Sequence, residues 1–129
     1  MLAYEQAQSL DVVGPLEVFA RASRWLRDHR GVEEPAYEVA LLTIGGGLLL
    51  MSNGLSIMTA PAADVRSVDT LLVTGGIGCY RAAEDQALVD WLKATAPRVR
   101  RLGSVCTGSI ILAPAGLLRG HRATTHWAY

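Results

Sequence analysis

The residue best placed for chemistry is Cys106, within Ser104-Val105-Cys106-Thr107-Gly108. The apolar run Leu102–Val105 reads as the end of a buried strand. A helical pattern follows, Ile110-Ile111-Leu112-Ala113 with Ala115-Gly116-Leu117-Leu118. A thiol is thereby placed in a sharp strand-to-helix turn, the cysteine version of the G-x-S-x-G nucleophile elbow. The small residues Ser104 and Gly108, two positions to either side, suit the crowded backbone of such a turn. A helix beginning at Thr107 would aim free N–H groups and its positive dipole end at the sulfur, favouring thiolate. The alternative is a small buried hydrophobe, because free cysteine is among the most buried residue types.

Asp11 stands between Leu10 and Val12, directly before a helix start. Either it caps or complements the first turn, worth about 0.5–2 kcal/mol, or it is a carboxyl beside the thiolate. In the second case burial and the neighbouring anion raise its pKa, and it can hand over a proton. Gly75-Gly76-Ile77-Gly78 follows a strand, but it lacks G-x-G-x-x-G spacing and a second strand ending in an acid. The loop is either a tight turn or a set of backbone N–H donors aimed at an oxygen or an anionic sulfur. Cys79 is a plain loop cysteine or a partner for Cys106. His126 is a satisfied structural histidine or a site residue. Glu17 and Arg98-Val99-Arg100-Arg101 read as solvated, and His29 and His121 have helix-end surroundings.

The elements that must position these residues belong to one domain: 129 residues suffice for a real core but hardly for two. Half the residues are hydrophobic, 19% are charged and the net charge is zero, which argues against this stretch gripping phosphates. The two cysteines have neither zinc nor C-x-x-C spacing, no metal or cofactor site is indicated, and a reducing cytoplasm is the simplest setting. Glu5 interrupts the start before any signal-peptide core forms, and the apolar segment Ala40–Met51 is too short and glycine-rich to span a membrane.

Along the chain, Leu2-Ala3-Tyr4 reads as the last part of a clipped strand. Gly14-Pro15 opens a helix with Leu16, Phe19, Ala20 and Leu26 on its apolar stripe, ended at Gly31. Tyr37–Ile44 reads as a strand, and Leu48–Met51 with Leu55–Met58 flank Ser52-Asn53-Gly54 as an antiparallel hairpin. Asp69–Thr74 is a buried strand and Glu84–Ala96 an amphipathic helix. The elbow helix ends near Gly116 or Gly120, and Ala123-Thr124-Thr125 begins another strand. Alternating strands and helices predict an α/β sandwich with a mainly parallel sheet, its site at the carboxyl ends of the strands, where Asp11, Gly75-Gly76 and Cys106 can meet. The abrupt ending at His126-Trp127-Ala128-Tyr129 and the clipped first strand predict an incomplete domain.

Ser9–Phe19, Leu71–Gly76, Ser104–Gly108 and Leu112–Trp127 resemble the ThiJ/PfpI family across nearly the whole chain, residues 1–129. The text is most similar to N-terminal domains of AraC-type transcriptional regulators, and next to isonitrile hydratases. The resemblance implies a flavodoxin-like three-layer sandwich, usually a homodimer, with Cys106 the elbow thiol and Asp11 its carboxyl partner. It implies that Thr107 stands beside the thiol, with Gly75, Gly76, Ile77, Gly108 and His126 around a small-molecule ligand or substrate. The protease branch of the family places His directly after its cysteine; Thr107 stands there, against a Cys-His-acid triad. No helix-turn-helix lies in residues 1–129, so DNA would be bound only through a further C-terminal domain. The readings that result are a ligand sensor, an isonitrile hydratase acting through Cys106 and Asp11, and a redox or carbonyl-stress protein.

Overall fold

Leu2 joins two blocks of strand into one layer. The computed structural model describes residues 1–65 and 67–129. In one block β1 (Leu42–Thr43) pairs parallel with β3 (Ser56–Pro61); in the other β4 (Thr70–Val73) pairs parallel with β5 (Arg101–Ser104). Leu2 bridges to Leu42 on one side and Val73 on the other, both in parallel sense. The bonds Ala3 N to Leu42 O and Leu2 N to Leu72 O are each 2.8 Å. Parallel strands covered on both faces need continuous apolar runs, and Leu2, Leu42, Leu71 and Val73 are fully enclosed.

β2 (Gly47–Leu50) runs antiparallel to β3, in the register Leu48 opposite Met58 and Leu50 opposite Ser56. The Asn-Gly turn forms as its sequence demands: Asn53 Oδ1 accepts the Leu55 N–H at 3.2 Å. The architecture is therefore the expected flavodoxin-like α/β sandwich with a mainly parallel sheet and a small antiparallel hairpin. Its helices are α1 (Ser9–Arg30), α2 (Cys79–Glu84), α3 (Gln86–Thr95) and α4 (Ser109–Leu112). The segment expected as one helix over Glu84–Ala96 is divided, because Asp85 closes α2 and caps α3, its Oδ1 accepting Ala87 N at 3.0 Å and Leu88 N at 3.3 Å. Leu88, Val89 and Leu92 turn inward as the pattern required.

Several boundaries differ from the sequence reading for local reasons. α1 starts at Ser9 rather than Gly14-Pro15, its first turn closed by Asp11 N to Gln8 O at 3.1 Å. Pro15 lies inside the helix and forgoes only the bond its missing N–H would make to Asp11 O. Of the expected stripe, Leu16 packs on the core, Phe19 rests against Tyr37 with ring centroids 5.0 Å apart, and Ala20 is exposed. The Tyr37–Ile44 strand shrinks to β1: main-chain pairing begins at its far end, where Ala40 O accepts the Met1 amino group, Leu41 O accepts Ala60 N and Leu42 N donates to Met1 O, while Tyr37 N donates to Ser23 Oγ. The elbow helix stops at Leu112, two residues before Pro114, which offers no N–H to continue it. Residues 123–125 form no strand; Thr125 donates its hydroxyl to Cys106 O instead.

Candidate functional site

β5 ends at Ser104, Val105 N bonds Val73 O at 2.9 Å, and the chain then turns through Cys106 at φ 52°. A left-handed backbone at a residue with a Cβ costs about 1–2 kcal/mol. It is held here by Gly108 N to Val105 O at 2.9 Å and by Thr125 Oγ1 to Cys106 O at 3.3 Å. The turn leaves the thiol exposed at the carboxyl ends of the parallel strands. Gly108 lies so close beneath it that an added Cβ would stand 2.3 Å from Val73 O.

The helix expected to begin at Thr107 is a 3₁₀ turn over Cys106–Gly108 followed by four-residue α4, too short for a substantial dipole. What the turn does supply is local: the Cys106 and Thr107 N–H groups have no hydrogen-bond acceptor among the described residues.

Asp11 reaches the same point from the first turn of α1. Its Oδ2 accepts the Gly75 N–H at 3.1 Å. A Cβ on Gly75 would lie 2.6 Å from Asp11 Oδ2, 2.7 Å from Thr107 N and 2.8 Å from Cys106 Cβ, so three groups converge on the space that only glycine leaves open. Burial pushes the Asp11 carboxyl upward; the Gly75 N–H, the Cys106 thiol and the His126 charge pull it back only in part.

The donor role expected of the Gly75–Gly76 backbone is altered by this geometry. Gly75 N is committed to Asp11, and Gly76 N to Thr107 Oγ1 at 2.9 Å. Thr107 is buried and returns its own hydroxyl to Gly76 O at 3.2 Å, clamping the loop to the elbow. In that loop only the Ile77 N–H is without an acceptor among the described residues, and the Ile77 side chain is exposed. His126 accepts Ala128 N through Nδ1 and lies against the Trp127 and Tyr129 rings. Cys79 is enclosed on the first turn of α2 and, like Cys106, is a free thiol. Tyr4 went unmarked in the sequence: it is buried and its hydroxyl has no hydrogen-bond partner among the described residues, and a polar tip inside the apolar Leu2-Ala3-Tyr4 run was the available signal.

Chemically, this is an exposed thiol beside a carboxyl inclined to keep its proton, with backbone N–H groups at hand for developing negative charge. A cavity of about 370 Å³ lies beside the starts of β1, β4 and β5, bordered by Met1, Phe19, Leu42, Leu72 and Arg100, and it does not include Cys106. Among the described residues no three His, Cys, Asp or Glu side chains gather as metal ligands, and no helix is long and apolar enough to cross a membrane.

Known proteins resemble this chain in sequence and architecture. Isonitrile hydratase of Pseudomonas putida is 36% identical over 129 residues, which cover 99% of this chain and 51% of that enzyme. The HTH-type transcriptional regulator CdhR of Pseudomonas aeruginosa is 38% identical over 110 residues, 84% of this chain and 32% of the regulator. The chain thus spans about half, or less, of the length of these two relatives. The crystal structure of an AraC family transcriptional regulator from Pseudomonas putida superposes with a TM-score of 0.78 at 21% identity, covering 98% of this chain and 65% of that one. The model of the DJ-1/PfpI family matches residues 1–129 from end to end, and the chain belongs to that family.

Proposed function

We propose that this chain is the ligand-sensing domain of an AraC-type transcriptional regulator, with a small molecule bound at Cys106. The observation that carries the reading is the convergence of the exposed Cys106 thiol and the buried Asp11 carboxyl on Gly75. Such a site suits a small nitrogenous or oxidisable metabolite. Thr107, Gly75, Gly76 and Gly108 shape it, Ile77 lends its N–H, and His126 stands at the rim. The reading is supported by CdhR, which resembles this chain over only 32% of its own length. DNA would be contacted by a segment outside residues 1–129, consistent with the zero net charge within them. The protein would act in the cytoplasm as a homodimer, through the outward face of the β2–β3 hairpin, where Leu48 and Met58 stand opposite each other in the open.

The nearness to the thiol of a carboxyl whose pKa burial raises also favours a second reading, an isonitrile hydratase-like enzyme. Cys106 Sγ would bond the terminal carbon of an isonitrile as that carbon takes the Asp11 proton. Water would then add to the same carbon, one of its protons going to the nitrogen and the other back to the Asp11 carboxylate, and displace the thiolate, giving an N-substituted formamide. Formamide production from an alkyl isonitrile, compared between the native protein and Cys106→Ala, tests this. Turnover by the native protein alone establishes the enzyme; equal background removes it. For the sensor, the length of the natural polypeptide decides. A product well beyond about 250 residues has room for a DNA-binding module, whereas a shorter one leaves none and sinks the regulator.

A further inference from the structure

The cavity of about 370 Å³ at the starts of β1 and β4 is a slot between two stretches of open backbone. Tyr37, Val39, Val68 and Leu72 border it, and the Tyr37 and Val39 side chains stand exposed there. Arg100, the guanidinium at its edge, is committed to Asp69 through bonds of 2.6 and 2.8 Å.

The main-chain bonds around Leu2 show what each wall still offers. On one wall Leu42 N donates to Met1 O, and Ala40 O accepts the Met1 nitrogen. In a parallel ladder every second residue serves the same neighbour, so Ala40 N–H and Glu38 C=O continue this wall. Neither has a hydrogen-bond partner among the described residues. On the other wall Leu72 O accepts Leu2 N, and Thr74 N donates to Leu2 O. The intervening residues serve β5, as Arg101 N to Asp69 O and Val105 N to Val73 O show. Leu72 N–H and Thr70 C=O therefore face the slot as well. Open edge groups of this kind are templates for an added strand.

Met1 reaches the slot at one end. It is 8% exposed, and burial lowers the pKa of its ammonium to about 6. A peptide bond at that nitrogen would remove the buried charge and keep the donor to Ala40 O.

We propose that the slot takes an extended apolar segment joined to Met1, which continues the strand of Leu2 parallel to β1 and β4. The first residue ahead of Met1 donates to Thr70 O and accepts from Leu72 N. The second donates to Glu38 O and accepts from Ala40 N. About four or five residues, at roughly 3.3 Å each, match the wall from Ala36 to Ala40. The segment is apolar because a parallel strand covered on both faces is apolar throughout. It is joined to this chain because a separate peptide would end at Met1, burying two terminal charges where a peptide bond buries none. The proposal is independent of the chemistry at Cys106.

The test is amide hydrogen exchange at Ala40 and Leu72, followed by NMR. In the 129-residue chain both amides are expected to exchange at least about tenfold faster than those of Leu42 and Thr74, whose bonds to Met1 O and Leu2 O are made. Fusing Lys-Val-Val-Ile-Val ahead of Met1 should slow Ala40 and Leu72 by about 100-fold, to the rates of Leu42 and Thr74. The same extension with proline at the two positions before Met1 lacks both donors and should slow neither. Equal slowing by the proline form would mean that apolar cover, not strand pairing, fills the slot, and would overturn the proposal. An extension that leaves both amides fast has the same force. Equal slowing by the free, capped pentapeptide in excess would assign the slot to another chain and overturn the covalent link. Should the extended forms not fold, the 129-residue chain still decides: Ala40 and Leu72 amides as slow as those of Leu42 and Thr74 would show both walls already paired.

Discussion

Asp11 Oδ2 accepts the N–H of Gly75 at 3.1 Å, tying the first turn of α1 to the loop after β4 and holding the carboxyl beside the elbow. The bond stabilises the carboxylate, yet burial outweighs it and the carboxyl holds its proton more firmly folded than unfolded. A carboxyl raised in this way contributes stability that is fully present below the unfolded value near 3.9 and is lost as pH rises through the folded one. Asp11→Asn keeps an acceptor for Gly75 and cannot ionise. Urea midpoints should therefore favour Asp11→Asn over the native protein at pH 7 by more than at pH 4. An equal difference at both pH values would show that the Asp11 carboxyl is not desolvated.

The elbow depends on Gly108 for space. A Cβ there would sit 2.3 Å from Val73 O, on backbone that belongs to the sheet. Gly108→Ala should destabilise the protein by about 2–3 kcal/mol in urea unfolding. Gly45→Ala, where an added Cβ meets nothing within 4 Å, is the control and should move stability by under about 0.5 kcal/mol. Equal effects at the two positions would contradict the close approach.

Leu48 and Met58 are each 69% exposed and directly opposed in the β2–β3 register, with Leu50 beside them. If the protein dimerises through this face, Leu48→Lys with Met58→Lys should give monomers in sedimentation velocity without loss of thermal stability of the protomer. Persistent dimers would place the interface elsewhere.

Asp85 caps α3 through two backbone N–H groups. Asp85→Ala should cost about 1 kcal/mol, while Asp85→Asn, which retains an acceptor, should cost less. A loss as large from Asn as from Ala would mean that charge, not capping, matters at this position.

How much of this was legible in the sequence follows from how local each signal is. The hairpin around Asn53, β4 and the turn at Cys106 were readable because their determinants lie within a few residues. The start of α1 was misread because Pro15 is a strong local mark, whereas the actual start depends on Gln8 O receiving Asp11 N, and residues 6–8 are fixed by the distant loop 75–78. Tyr37–Ile44 has the composition of a strand, but a strand is defined by its neighbour, and the ladder with β3 forms only at Leu42–Thr43. The convergence of Asp11 and Cys106 on Gly75 could be anticipated from topology, since all three follow parallel strands or lie just beyond one. The commitment of the Gly75 and Gly76 N–H groups could not, because it depends on which acceptors, Asp11 Oδ2 and Thr107 Oγ1, arrive there in three dimensions.

The placement of Leu2 between β1 and β4 also bears on how the chain folds. Each half of the sheet can form by itself, but the central ladder closes only when Leu2 finds both Leu42 and Val73, partners far along the sequence. Contacts of such long range slow folding. Until they form, β1 and β4 each present an open edge of unpaired backbone groups that a second unfolded chain can occupy. Refolding should therefore be slowest, and loss to aggregates greatest, at the step that inserts Met1–Tyr4, so protein concentration during refolding governs the yield of native sheet.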